Sequence, residues 1–518
     1  MLKIDGESLT LEGVWAVAVC GEKVELAEQA RARMVQAHAS LVEMARLDRP
    51  IYGISTGLGG LVDQRISSKE SEQLSRNLVL SHAMGSGASL ANEVVRAAML
   101  VRANSLAKGY SGVRPELVTL ILEMLNRGVA PLVPAQGSLG SSGDLIPLAH
   151  VALVLSRGEE ENEEESGQAL YQGQLLSGQR AMEAAGLQRL VLGPKEGLAL
   201  CNGASFSAAI GALVCKRAAR ICTLSDLALA MSLEAMRGNP QALDARIHQA
   251  RPHEGQGNVA ASVRRYLQGS ELADASGRLQ DAYSLRCAPQ IQGPLRDVLA
   301  FTEGTLQVEV NSATDNPLVV GEEEALSGGN FHGQPIGLAL DYLKIALTVV
   351  ASVSERRIAR MLDAHTSGGL PPMLIDSGEE PGLNSGLMMA QYEVASLCLE
   401  NQGLAAPDSV RSLPTSAGQE DLNANAMTAA RHAAEVAENC EHVLATELYL
   451  ACRGIDLRLR ELPGAKMGAG TEEAYRRMRS VIPYHAGEKL WGQEVQKARE
   501  AVAEGLLDDL PEFVGVYD

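Results

Sequence analysis

The chain has 518 residues, 46% of them apolar and 21% charged, with a formal net charge of −19. That composition belongs to a globular protein with ample core and excludes a disordered or fibrous chain, while the strong negative balance argues against nucleic acid as a partner. Eight cysteines lie scattered, with no Cys-x-x-Cys pair and no histidine at zinc-finger spacing, which fits reduced thiols, a cytoplasmic setting and no metal site. The first residues lack a basic segment followed by an apolar run, and no uninterrupted apolar stretch approaches membrane-spanning length. Neither export nor a membrane partner is expected.

In chain order, the first unusual stretch is "YGISTGLGG" at 52–60, and the second is "SLGSSGD" at 138–144. An acidic run, "RGEEENEEESG" at 157–167, reads as a solvated loop. Residues 207–237 then carry a helical pattern interrupted only by Gly211. After "QDAYSLRCAPQ" (280–290), "VNSATDNP" (310–317) and "SGGNFHGQP" (327–335), the stretch 338–362 places apolar residues three and four apart without Gly or Pro, about seven turns of helix. "PTSAGQED" (414–421) precedes a third long helical run at 425–452. Aromatic residues make up 3% of the chain and alternating patterns are short, so a large sheet is not expected. The expected class is mostly α, a long antiparallel helical bundle with a loop-rich N-terminal portion. Three segments are expected: 1–200 with the polar loops, 201–480 with the long helices, and a helical tail at 481–518.

Gly137, Gly140 and Gly143 fit a phosphate loop only loosely, because no Gly-Lys-Ser/Thr follows. A nucleophile elbow fails as well, since Ser141 and Ser142 lack Gly-x-Ser-x-Gly spacing. A third chemistry uses the backbone. In X-Ser-Gly the glycine nitrogen can attack the carbonyl two residues earlier if a tight turn presses them together, and only glycine lacks the side chain that blocks the approach. Loss of one water closes a five-membered ring, and loss of a second from the central serine leaves an exocyclic methylidene. Here Ser141 supplies the carbonyl, Ser142 the methylidene and Gly143 the nitrogen.

The stretch resembles the Ala-Ser-Gly-Asp loop of the aromatic amino acid ammonia-lyases, whose electrophile is 4-methylidene-imidazole-5-one. "YGISTGLG", "NLVLSHAMG", "GLALCNGAS", "RPHEGQ", "QDAYSLRCAPQ", "NSATDNP", "SGGNFHG" and "LPTSAGQED" follow in that family's order from about residue 50 to 460. The resemblance implies a helical superhelical architecture like that of the ammonia-lyases and fumarases. It also implies that Tyr52 removes a β-proton, that Ser141, Ser142 and Gly143 form the ring, and that Asn202 and Tyr283 support the ring and the departing amine. Arg286 would hold the substrate carboxylate, Phe331 would pack beside the ring, and His82 and Glu420 would bind an imidazole. Ser81-His82 and Glu420 resemble the histidine enzymes, and a carboxylate suits an imidazole N–H better than an apolar ring. A homotetramer whose active sites draw on three subunits is implied too.

The expected reaction is elimination of ammonia from histidine to give urocanate, without external cofactor. The alternatives are a lyase or 2,3-aminomutase that uses the same electrophile on another aromatic or imidazole-bearing amino acid, an elimination without the ring, and a non-enzymatic helical scaffold. Several positions depart from the family pattern: Ser141 for alanine, Leu58 for phenylalanine, Ala282 for proline, Leu422 for histidine, and Asn423, which is reminiscent of the phenylalanine enzymes. His253 and His332 read as loop-fixing residues, and Asp315 with Asn316 before Pro317 reads as a turn.

Overall fold

The computed structural model describes all residues except 48, 49, 58, 60–62, 68, 69, 274–276, 377, 509 and 511–518. Leu58, one of the departures noted above, lies outside the described residues. The three long helical patterns form helices Ser205–Ala235, Gln334–Leu362 and Ala426–Glu461, joined by Asn92–Ala107 and Ala288–Glu309. Their buried faces follow the sequence spacing: Ile336, Ala339, Leu340, Leu343, Leu347 and Val350 are all 0% exposed along one of them. Gly211 does not break its helix. A Cβ there would meet the Leu306 methyls at 3.0 Å, so the glycine admits a closely packed neighbour. The β structure is confined to small sheets, the largest three-stranded, built from Ala130–Pro131, Gln168–Tyr171 and Gln174–Ser177. The protein is thus mostly α, as its periodicity predicts.

Proximity groups the chain into two compact units, one formed by residues 1–216, 302–341 and 407–431, the other by 217–301, 342–406 and 432–518. The boundaries expected near 200 and 480 divide the chain by order, whereas the units gather segments far apart in sequence, and four of the junctions fall inside helices.

The helix Gln334–Leu362 is long and apolar enough to cross a membrane by length and composition, which the sequence reading did not anticipate. Two thirds of its apolar window is buried within the protein, however. Its Asp341 accepts bonds from the backbone of Asp408 and Ser409, and its Lys344 donates to the Ala406 carbonyl. These are the contacts of a core helix.

The acidic run is less free than expected. Glu161, Glu163 and Glu165 are paired with Arg189, Arg180 and Arg76 at 2.5, 2.7 and 3.2 Å. Arg189 and Arg76 are almost fully buried and also donate to backbone carbonyls, so the loop is stapled to the helices beneath it. Sequence composition sees the like charges but not the distant arginines that neutralise them.

Two short helices deliver the residues of the site. Ser71–His82 ends on His82, and Glu196–Cys201 leads into Asn202. They meet at Gly197, where a Cβ would sit 2.3 Å from the Ser75 carbonyl oxygen. The second helix is anchored twice. Glu196 takes two bonds from the Arg114 guanidinium, at 2.9 and 2.6 Å, and Lys195 pairs with Asp315 at 2.6 Å, both side chains fully buried. Asp315 is therefore a structural residue, as its turn motif suggested. Removing one partner of a buried pair strands the other charge. Asp315→Asn is expected to cost about 3–5 kcal/mol of stability, measured as a lowered midpoint of denaturant unfolding.

Candidate active site

The loop 137–144 shows why its glycines are needed. Gly137, Gly140 and Gly143 have φ of 141°, 68° and 78°, conformations that L side chains rarely adopt. At Gly143 a Cβ would also lie 2.2 Å from the Gly203 nitrogen, and at Gly140 it would lie 2.8 Å from the Ala426 Cβ. The loop is pressed against its neighbours at two points where only glycine fits. Asp144 closes it. The buried carboxylate accepts from Ser138 Oγ at 2.7 Å, the Ser207 nitrogen at 2.8 Å and Ser207 Oγ at 3.0 Å, while its own N–H donates to the Gly203 carbonyl at 2.9 Å. Burial pushes this carboxyl above the usual range despite those donors.

Ser142 is held at both ends. Its hydroxyl donates to Glu420 Oε1 at 2.7 Å, and its carbonyl oxygen accepts from Asn202 Nδ2 at 2.6 Å. Glu420 is fixed in turn: its other oxygen accepts from Thr415 Oγ1 at 3.2 Å, and its backbone pairs with Thr415 across a tight turn. His82 feels the charge of the same carboxylate through space. Burial lowers its pKa, opposed by the Leu78 carbonyl and the Glu420 charge, so the ring is neutral at pH 7. Its Nδ1 lies 3.0 Å from Ser81 Oγ. The half-buried Tyr52 carries a hydroxyl that accepts from the Gly59 nitrogen at 3.4 Å, and a Cβ at Gly59 would touch Ser416 Oγ at 2.8 Å. The loop bearing Tyr52 thus abuts the turn bearing Glu420. Tyr52 also lines a cavity of about 290 Å³ with Pro317, Glu324 and Ser327.

Phe331 is half-buried in the turn preceding Gly333, whose nitrogen donates to the Gly140 carbonyl at 2.9 Å. The first unit therefore gathers Tyr52, His82, Ser141, Ser142, Gly143, Asn202, Phe331 and Glu420. Tyr283 and Arg286 belong to the second unit and pair with each other there, the guanidinium carbon 4.8 Å from the ring centroid. Arg286 lines a cavity of about 410 Å³ with Asn239, Gln241 and Asp281, and its buried Nε has no hydrogen-bond partner among the described residues. A guanidinium that lines a cavity is suited to receive a carboxylate.

The departures have local explanations. The Ser141 hydroxyl accepts from the Ala424 nitrogen at 3.3 Å, a bond that alanine lacks. Leu422 is 61% exposed, and its carbonyl contacts His332 Nε2 at 3.2 Å. Asn423 is buried, accepting from the Leu413 nitrogen at 3.0 Å; it braces the loop around Glu420. Ala282 has φ of −65°, which is the value proline imposes. Among the described residues no cluster of metal-ligating side chains occurs.

The helical scaffold that clasps a Ser-Ser-Gly turn between an amide and a carboxylate is that of a carbon–nitrogen lyase, the class to which its family and relatives assign it. The profile of the aromatic amino acid lyases matches residues 9–480, and the chain belongs to that family. It is 44% identical over 509 residues to a histidine ammonia-lyase of Alkaliphilus oremlandii, covering 98% of this chain and 97% of the relative. Its fold matches the crystal structure of histidine ammonia-lyase from Trypanosoma cruzi with a TM-score of 0.88 at 36% identity, covering 98% of this chain and 94% of that one. It likewise matches tyrosine aminomutase from Streptomyces globisporus with a TM-score of 0.90 at 33% identity, covering 98% and 97%.

The sequence reading missed Arg102, Asp144 and Thr415. Arg102 did leave a signal, a single arginine inside the apolar run "AAMLVRANSLA".

Proposed function

We propose that this enzyme eliminates ammonia from L-histidine to give trans-urocanate, using a methylidene-imidazolone ring formed from Ser141, Ser142 and Gly143. The observation that carries this reading is the double restraint on Ser142, together with a Gly143 whose place no other residue can take. The residues fit the ring. The nitrogen that would close it belongs to a glycine already in a tight turn, the Ser142 carbonyl already has a side-chain amide donor, and the Ser142 hydroxyl to be lost already has a proton acceptor. Once formed, the ring supplies an electron sink that turns the substrate amine into a better leaving group.

The chain's own residues supply the rest. Arg286 binds the substrate carboxylate as a two-point partner, and Tyr52 takes the β-proton. Asn202 donates to the Ser142 carbonyl, Tyr283 supports the departing amine, and Phe331 packs beside the ring. His82 and Glu420 hold the imidazole, and a neutral histidine beside a carboxylate offers the acceptors that an imidazole N–H requires. Four chains assembling with shared active sites fits the exposed apolar row Tyr342, Ile345 and Val349 on one face of Gln334–Leu362, 52%, 39% and 43% exposed. Eight cysteines with no disulfide among them fit a cytoplasmic enzyme.

A second reading, a 2,3-aminomutase acting on another aromatic amino acid, draws support from the likeness to tyrosine aminomutase. A panel of histidine, tyrosine and phenylalanine, assayed for urocanate, coumarate, cinnamate and β-amino acids, separates the two. Urocanate as the dominant product supports the first reading, and β-tyrosine or β-phenylalanine overturns it. Replacing Glu420 with glutamine removes one charge-assisted bond worth about 1.5–3 kcal/mol, so kcat/KM for histidine is expected to fall about 10- to 100-fold. Intact mass checks in the same preparation that the ring has formed.

A further inference from the structure

Arg102 lies in the middle of the helix Asn92–Ala107 and is 1% exposed. Among the described residues it makes no direct ion pair. Its Nη1 donates to the Asn202 carbonyl, its Nη2 donates to Ser105 Oγ at 3.2 Å, and its buried Nε has no partner. Asp315 and Glu309 act on it only through space, and Asp315 is itself bound by Lys195. An arginine stays charged, and a buried charge without a carboxylate partner is costly to keep. What it faces is the Asn202–Gly203 peptide: a Cβ built on Gly203 would lie 2.4 Å from Nη1. The same Asn202 sends its side-chain amide to the Ser142 carbonyl oxygen. A fixed cation, a peptide and the carbonyl of the ring-forming serine thus stand in one hydrogen-bonded series.

We propose that Arg102 is a positioning residue for maturation of the electrophile: it locks the Asn202–Gly203 peptide so that the Asn202 side-chain amide is held on the Ser142 carbonyl and activates it for loss of water. The role rests on the ring proposed above. Ring closure forms the bond from the Gly143 nitrogen to the Ser141 carbonyl carbon and releases that oxygen as the first water. The second water is the Ser142 hydroxyl together with the Ser142 Cα hydrogen, and a carbon–carbon double bond remains; no oxidant enters. The Cα hydrogen is adjacent to the Ser142 carbonyl, so its loss builds negative charge on that oxygen. A donor held firmly on the oxygen in a dry interior lowers the barrier, and a buried cation nearby favours the same developing charge.

The test compares the full-length parent with Arg102→Gln and Arg102→Lys, following intact mass from the time of synthesis with far-UV circular dichroism as a control for folding. The parent is expected to lie two waters below its sequence mass. Folded R102Q is expected to accumulate chains one water below, its second loss slowed about 100-fold, and R102K is expected to recover only part of that rate, staying severalfold below the parent. A purely structural role gives no one-water species. Folded R102Q that loses both waters as fast as the parent overturns the proposal. Should R102Q fail to fold, R102K decides, since a lysine retains the charge but not the fork. A second loss slowed severalfold supports the role, and a parental rate overturns it. A parent that keeps both waters contradicts the ring itself, a result distinct from every failure of Arg102 alone.

Discussion

Replacing Ser142 with alanine is expected to lower kcat for histidine at least 1000-fold, on the order of 4 kcal/mol of barrier or more. Among the described residues the side chain of Ser142 has one partner, Glu420, so the substitution is expected to leave the fold intact apart from a hydrogen bond worth about 1 kcal/mol. What it removes is the hydroxyl whose departure creates the methylidene. The amide nitrogen of Gly143 and the carbonyl of residue 141 are untouched, so the variant can lose one water but never two. Activity and mass are therefore linked: a variant at most one water light has no electrophile and no turnover. Retention of more than a few per cent of parental kcat would place the chemistry elsewhere.

The second large effect is at Tyr52. Tyr52→Phe removes the phenol oxygen and nothing else, and general base catalysis by a positioned group contributes about 10²–10⁴-fold. A loss of that size in kcat is expected, with KM changed less than about threefold, because the proposed function gives substrate binding to His82, Glu420 and Arg286. The Gly59 nitrogen loses its acceptor at 3.4 Å, a long bond whose loss leaves the loop in place. The proposed ring draws on no atom of Tyr52, so intact mass of Y52F is expected to equal that of the parent after correction for one oxygen. Steady-state kinetics on histidine checks this, and a drop in kcat below tenfold would assign the base to another group.

Much of the molecule is legible in the sequence because the controlling interactions are local. Apolar spacing of three and four marks Gln334–Leu362 and Ala426–Glu461 without knowledge of their neighbours, and densely placed glycines mark the turn at 137–143. What escapes is set by contacts across long separations. Arg102 meets Asn202 a hundred residues away, and the glutamates of 161–165 meet arginines at 76, 180 and 189. The role of Asn423 is another case. Its identity resembles that of a phenylalanine enzyme, yet its amide is spent on the Leu413 backbone rather than aimed at a substrate. Ser141 similarly looks like a disturbance of the ring until its hydroxyl is seen to accept from Ala424. Residue type suggests a function; only the partner reveals where the side chain is committed.

The most direct measurement on the central claim is the mass of the proteolytic peptide spanning residues 137–157 of the purified protein. Self-condensation of Ser141, Ser142 and Gly143 predicts a peptide lighter than its sequence by two waters, with the deficit localised to those three residues by fragmentation. A peptide at its full sequence mass would contradict it.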